Sequence, residues 1–138
     1  MTPNQITLVQ SSFAKVLPIS DQAAALFYNR LFELSPTLRP MFKGDMAEQG
    51  RKLMAMLRSV VNGLDHLDTL VPAAQQLAQR HVAYGVKDEH YALVGQALID
   101  TLARGLGDGF TAETRTAWGT VYGTLSSVMI AATANPSA

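Results

Sequence analysis

The first residue whose side chain could bind a ligand or a metal is His81, which lies in a segment predicted to be a short helix. Pro72 and Gly85 predict where that helix begins and ends, because proline favours the first turn and glycine the position after the last. Leu77 lies four residues before His81 and therefore on the same face. A neutral imidazole that faces an apolar space is either a core histidine bonded to a carbonyl or a metal ligand. Taken alone, the segment is compatible with both.

Three other residues stand out from their apolar surroundings. Tyr28 lies beside the apolar face of a predicted helix, and Phe42 lies at the mouth of a Lys-Gly-Asp loop. Gln49 begins a stripe that continues through Leu53 and Leu57. The ordinary interpretation is that Phe42 only packs against the core and that Gln49 is the solvent-exposed end of the apolar helix face. None of the three defines a site by itself.

Several catalytic motifs are absent from the sequence. It contains no phosphate-binding loop, no Rossmann glycine fingerprint, no His-Glu-x-x-His zinc helix and no Gly-x-Ser-x-Gly elbow. His66, His81 and His90 share no face at a spacing of four residues, which argues against a zinc or di-iron carboxylate cluster built from local pairs. The lack of cysteine also excludes thiolate sites and disulfides.

Length and charge indicate one soluble domain. A chain of 138 residues fits a single domain, 1–138, with one core. Eleven basic and eleven acidic residues balance, which argues against nucleic acid or anionic lipid as a partner. The first residues lack the features of a signal peptide, so we expect a cytoplasmic protein. The longest mostly apolar stretch, 128–134, is too short to be a membrane segment.

Helical spacing of apolar residues runs through the chain, and no window alternates with the period of a strand. The fold class is therefore predicted as all-α, with six main helices and one short helix in an irregular globular arrangement. Residues 135–138 are predicted to be a frayed tail. The predicted helix starts are Thr2–Pro3, Ser20, Pro36, Asp45, Pro72, Asp88 and Thr111.

A set of short motifs, in this order and spacing, resembles a globin. More narrowly, the chain is similar to the bacterial single-domain haemoglobins related to Vitreoscilla haemoglobin and to the haem domain of flavohaemoglobins. The resemblance covers nearly the whole chain and implies a globin fold around a haem pocket. The motifs are Phe27-Tyr28, Ser35-Pro36 to Met41-Phe42, Gln49 to Leu53, Arg80-His81, His90 to Gly95 and Ala117 to Gly123.

The resemblance implies a role for each candidate residue. His81 would be the proximal ligand of haem b iron, with Tyr91 behind it, and Tyr28 and Gln49 would donate hydrogen bonds to bound dioxygen. Arg80 would pair with a haem propionate, although a solvated surface arginine explains it equally well. Residues expected to line the dry pocket and contact the haem are Phe42, Leu53, Leu57, Leu77, Val94 and Leu98.

Two residues depart from the family pattern. Thr133 stands where the family's proximal network has a glutamate, which predicts a weaker electron push onto the iron and a weak peroxidase at most. Gly50 follows Gln49 directly, and glycine loosens a helix. We therefore expect the position of Gln49 to be poorly fixed.

The function that the resemblance implies is reversible binding of dioxygen at a five-coordinate ferrous iron. Nitric oxide dioxygenation is a further activity, with dioxygen, nitric oxide and carbon monoxide as ligands. The sequence stops before the flavin- and nicotinamide-binding domains of a flavohaemoglobin, so the expected electron donor is an external reductase. Oxygen delivery alone, or a haem-free helical interaction domain, are the alternatives, and a homodimer is left open.

Overall fold

The computed structural model describes residues 2–42, 44–83 and 88–134, apart from the side chains at 41, 81–83, 88–89 and 133–134. This part of the chain contains helices and no strand, which confirms the all-α prediction. Short 3-10 turns cover Leu17–Ile19, Pro36–Met41, Gly63–Asp65 and Gly107–Gly109. The α-helices are α1 (Pro3–Val16), α2 (Ser20–Leu34), α3 (Met46–Asn62), α4 (Leu67–Ala83), α5 (Asp88–Leu106) and α6 (Ala112–Ala134).

Three of the predicted helix starts are confirmed by side-chain caps. Thr2 and Gln5 form a complete capping box, with bonds of 3.0 and 3.1 Å, at the start of α1. Asp45 accepts from the Ala47 amide at 2.9 Å before α3, and Thr111 accepts from the Thr114 amide at 3.1 Å before α6. These bonds satisfy backbone donors that have no partner within a helix.

Two predicted starts were wrong. Ser20 is the first residue of α2 rather than its cap, because the Leu17–Ile19 turn continues α1 and leaves Ile19 at the cap position. Pro72 lies inside α4. The His66 carbonyl accepts from the amides of Thr69 and Leu70, both at 3.0 Å, so the helix begins one turn before the proline. The helix that carries His81 therefore has 17 residues and is not the short helix that was predicted.

The helices pack around two apolar clusters of unequal size. The main core lies where α2 packs against α5 and α3 and where α1 packs against α6. Trp118 is buried there, and its indole nitrogen donates to the Ser12 hydroxyl at 2.8 Å. The smaller cluster lies between α4 and α6 and contains Ala74, Ala78 and Met129. Within the described residues, no helix is long and apolar enough to cross a membrane.

Candidate functional site

The structure brings Tyr28 and Gln49 together from two different helices. Tyr28, on α2, is only 6% exposed, and Gln49, in the first turn of α3, is half-buried. The Gln49 side-chain amide donates to the Tyr28 hydroxyl oxygen at 3.2 Å. The two residues lie 21 positions apart in the sequence, so the crossing of α2 and α3 creates this polar pair.

Gly50 fixes this crossing, which corrects the expectation that it loosens α3. Gly50 is buried, and a Cβ atom built there would lie 2.9 Å from the Cβ of Ala24 on α2. Real Cβ atoms essentially never come so close, so α2 and α3 pack at this distance because residue 50 has no side chain. The glycine next to Gln49 thus holds the start of α3 against the helix that carries Tyr28.

Burial and hydrogen bonding shift the pKa of Tyr28 in opposite directions. Burial raises the pKa of its phenol, and the hydrogen bond from Gln49 lowers it, with a net rise above the usual value. The phenol therefore keeps its proton at physiological pH. Since the Gln49 amide donates to the phenol oxygen, the Tyr28 proton is left for another acceptor, and none occurs among the described residues. The Tyr28 hydroxyl is therefore a hydrogen-bond donor surrounded by apolar side chains.

An aromatic cluster surrounds Tyr28. The ring of Phe42 meets it edge-on, with centroids 5.3 Å apart and an interplanar angle of 65°. Phe32 stacks on Tyr28 at 6.1 Å and meets Phe42 edge-on at 5.5 Å. Such offset and edge geometries are the favourable ones for aromatic pairs. Sequence reasoning found Tyr28 and Phe42 but missed Phe32, although its position four residues after Tyr28 on the same helix was an available signal.

Three predicted pocket residues line a common apolar space. Leu53 and Leu57 on α3 and Leu98 on α5 border a void of about 20 Å³ in the main core, with room for about one water molecule. A further lining residue, Thr101, is polar, but its hydroxyl donates to the Ala97 carbonyl at 2.8 Å. Val94, half-buried one turn earlier on α5, packs against the same core. The side chains of α3 and α5 at this place are therefore mostly apolar, and their contact with a haem stays a prediction.

Leu77, on α4, does not border this void. Leu77 is half-buried and packs against the smaller cluster, together with Tyr91. Arg80 is exposed in the turn before His81. The backbone of His81 lies in the last turn of α4, but the side chains of His81 and Thr133 lie outside the described residues. The roles proposed for both side chains stay predictions.

The start of α5 is held against α6 by a contact that sequence reasoning missed. The Tyr122 hydroxyl donates to the Tyr91 backbone carbonyl at 2.6 Å. Its ring lies over Gly95, where an added Cβ would be 2.7 Å from the ring carbon Cε2. Burial raises the pKa of Tyr122 far above its usual value, so this donor stays protonated. The backbone of Tyr91 is thereby fixed at the edge of the site.

Comparisons with known proteins agree with the resemblance. The family model described as Globin matches residues 25–129. A flavohemoprotein of Bordetella parapertussis is 29% identical over 133 residues, which cover 94% of this chain and 33% of that protein. Flavohemoproteins of Vibrio cholerae, at 27%, and Rhodopirellula baltica, at 29%, match over the same length. The chain thus spans about a third of the length of the curated relatives it matches.

Proposed function

The chain belongs to the globin family, and from that premise we propose that it binds haem b through His81 and holds dioxygen reversibly beside Tyr28 and Gln49. Globin membership and relatives named flavohemoproteins imply a haem cofactor. When bound, haem supplies an iron atom that takes up diatomic gases and exchanges one electron.

The described residues agree with such a group in polarity. A flat, mostly apolar macrocycle needs apolar walls, and α3 and α5 provide them in the half-buried side chains of Leu53, Leu57 and Val94. Within the described part of the chain, no three His, Cys, Asp or Glu side chains gather as a metal cluster. A metal held by one histidine takes its other donors from a cofactor, which is the case for haem.

The observation that carries the proposal is the buried phenol of Tyr28, whose proton is directed to no described acceptor. Dioxygen that drew electron density from a ferrous haem would carry partial negative charge and accept a hydrogen bond from the phenol. Gln49 would orient the phenol by donating to its oxygen. Phe42 and Phe32 would exclude water from the pair, which strengthens the bond in a less polar medium.

Nitric oxide dioxygenation is the finer part of the proposal. The overall reaction consumes one nitric oxide, one dioxygen and one electron and yields one nitrate ion. The chain's contribution would be to hold dioxygen at Tyr28 and Gln49 within an apolar pocket that small neutral gases can enter. Because each turnover consumes an electron, a reductase is required as a partner. Relatives named flavohemoproteins support such a partner.

A matched pair of measurements tests the proposal. The purified chain, loaded with haem, is expected to show a Soret band and a stable oxygenated spectrum. Rapid mixing of the oxygenated protein with nitric oxide should then yield one nitrate per haem. Failure to take up haem would support a haem-free interaction domain instead. A stable oxygenated protein that forms no nitrate would limit the function to oxygen binding and delivery.

The proposal extends to the cellular location, the oligomeric state and the role of Arg80. We place the protein in the cytoplasm, where flavin reductases can supply electrons, and treat a homodimer as open to measurement by light scattering. Arg80, exposed one residue before His81, would approach a haem propionate.

A further inference from the structure

We propose that Arg39 is a positioning residue for the Tyr28 side of the pocket. Its guanidinium lies over the ring of Phe32 on α2 and so holds the end of the Pro36–Met41 turn in place. The end of the turn then positions Phe42 against Tyr28. The inference rests on the proposed function only for its effect on bound gas. The structural effect on Phe42 stands independently.

Two contacts connect Arg39 to Phe42. The first is a local backbone hydrogen bond: the Phe42 amide donates to the Arg39 carbonyl at 3.1 Å, which ends the 3-10 turn. The second runs through a ring. The Arg39 guanidinium carbon lies 5.4 Å from the centroid of Phe32, and Phe32 meets the Phe42 ring edge-on at 5.5 Å. A guanidinium over a ring at this distance is attracted to the ring's negative face.

The cation over Phe32 has no competing carboxylate. Among the described residues, Arg39 takes part in no ion pair, so the ring is the contact that defines where its guanidinium lies. Phe32 also stacks on Tyr28 at an interplanar angle of 29°. Arg39 therefore acts on both site aromatics through one intermediate ring. It acts by position and does not itself touch a ligand.

The turn does not depend on Arg39 for its burial. Leu38, the preceding residue, is 4% exposed and belongs to the main core, whereas Arg39 is exposed. Loss of the guanidinium should thus leave the turn packed through Leu38 while it frees Phe32 and Phe42 to move. Arg39→Met is consequently expected to fold and to unfold at nearly the wild-type temperature.

The chain offers a matched control. Arg115 lies over the ring of Phe110, 5.2 Å from its centroid, near the start of α6. Neither residue belongs to the aromatic cluster around Tyr28. Arg115→Met removes the same kind of contact at nearly the same distance, so any general effect of losing a surface guanidinium appears in both variants.

Amide hydrogen exchange in the full chain tests the proposal. Arg39→Met should speed exchange of the Phe42 amide by about two- to fivefold, the factor that corresponds to an exposed cation–ring contact. Arg39→Lys, which keeps a cation, should restore most of the protection, and Arg115→Met should leave the Phe42 amide unchanged. The proposal is overturned if Arg39→Met exchanges like wild type, if Arg115→Met has an equal effect, or if lysine protects no better than methionine.

The same variants, loaded with haem, connect the contact to the proposed function. Dioxygen release should be faster in Arg39→Met by about the same two- to fivefold factor and unchanged in Arg115→Met. A change in exchange without a change in release would sustain the structural contact and overturn its role at the site. Failure of the chain to bind haem would overturn the proposed function and leave the exchange result intact.

Discussion

The two sides of the pocket belong to different parts of the interior. Tyr28 and the leucines of α3 and α5 pack in the main core, where α2 crosses α3 and α5. The helix that carries His81 contributes Leu70 to the main core, but it packs mainly on a small cluster with α6. Aromatic rings and a helix crossing that excludes a Cβ atom fix the Tyr28 side. The α4 side has the buried Ala74, Ala78 and Met129, with the partly buried Leu77, Tyr91, Leu125, Val128 and Ala132 packed against them.

This difference suggests which side depends on a bound group. Burial of apolar area stabilises a contact roughly in proportion to that area, and alanines contribute little. The contact between α4 and α6 is extensive along the two helices, but two of its three buried side chains among the described residues are alanines. A cofactor that binds only the folded chain stabilises it through mass action. We expect this stabilisation to fall mainly on α4, while the Tyr28–Gln49 pair is formed without help.

The largest expected effect is on the α4 side. His81→Ala should lose haem or hold it only weakly, because the other wall contributes apolar contacts and no strong ligand. Absorption spectra and the rate of haem transfer to an acceptor apoprotein measure the loss. Added imidazole should restore binding by occupying the space of the missing ring.

The same experiment can contradict the assignment. A native ferrous spectrum in His81→Ala, obtained without added imidazole, would remove His81 from the role of ligand. His90→Ala provides the control, since His90 lies near the start of α5 and is assigned no ligand role.

The second effect is on the Tyr28 side. Tyr28→Phe removes a hydrogen bond to a partly charged oxygen, a contact of about 1.5–3 kcal/mol, so dioxygen should dissociate about ten- to a hundredfold faster. Bound carbon monoxide is far less polar, and its release should hardly change. Tyr122→Phe is the matched control, because that hydroxyl is also buried but donates to the Tyr91 carbonyl. If both gases respond alike in Tyr28→Phe, the tyrosine only packs.

These two sides also differ in how much the sequence could predict. The resemblance to globins singled out Tyr28, Phe42 and Gln49, and the structure places Phe42 and Gln49 in contact with Tyr28. The sequence could not show that Gly50 faces Ala24, because that contact depends on how two helices cross. Helix propensity predicted that Gly50 makes the helix flexible. The packing against Ala24 instead requires a residue without a side chain at position 50.

Helix starts show the same limit. The caps at Thr2, Asp45 and Thr111 are local hydrogen bonds, so sequence patterns predicted them correctly. Pro72 was misread as a start because a proline is compatible with either the first turn or, at some cost, the interior of a helix. The turn of α4 that precedes Pro72 begins with backbone hydrogen bonds to the His66 carbonyl. Backbone bonds of this kind leave no side-chain pattern in the sequence.

A third prediction tests the crossing of α2 and α3 directly. Gly50→Ala places a methyl group against Ala24, so the two helices must separate, at a cost of about 1–3 kcal/mol in the free energy of unfolding. Gly123→Ala is the control, since that glycine lies inside α6 with nothing within 4 Å of an added Cβ. It should stabilise the chain by about 0.5–1 kcal/mol. Urea unfolding of both apoproteins measures the contrast.

The two substitutions also separate stability from the site. Separation of α2 from α3 should pull Gln49 away from Tyr28 and speed dioxygen release in Gly50→Ala alone. Equal stability of the two variants would show that the crossing tolerates a methyl group, and the correction to the role of Gly50 would then be lost.

The smallest effect is expected at Thr133, which we expect to occupy the place of the family's proximal glutamate. A carboxylate that accepts a proton from the ligand's network raises the basicity of the imidazole, and a hydroxyl does so far less. Thr133→Glu should therefore raise the iron–histidine stretching frequency and speed the reaction with peroxide by about tenfold at most. Thr133→Gln introduces a side chain of the same size as glutamate but without charge, so it should change neither the stretching frequency nor the peroxide reaction. If glutamine acts like glutamate, the effect is packing on the small α4–α6 cluster. If neither variant changes the stretching frequency, the side chain at 133 does not act on His81, and Tyr91, whose backbone carbonyl accepts from Tyr122, is the next residue to test.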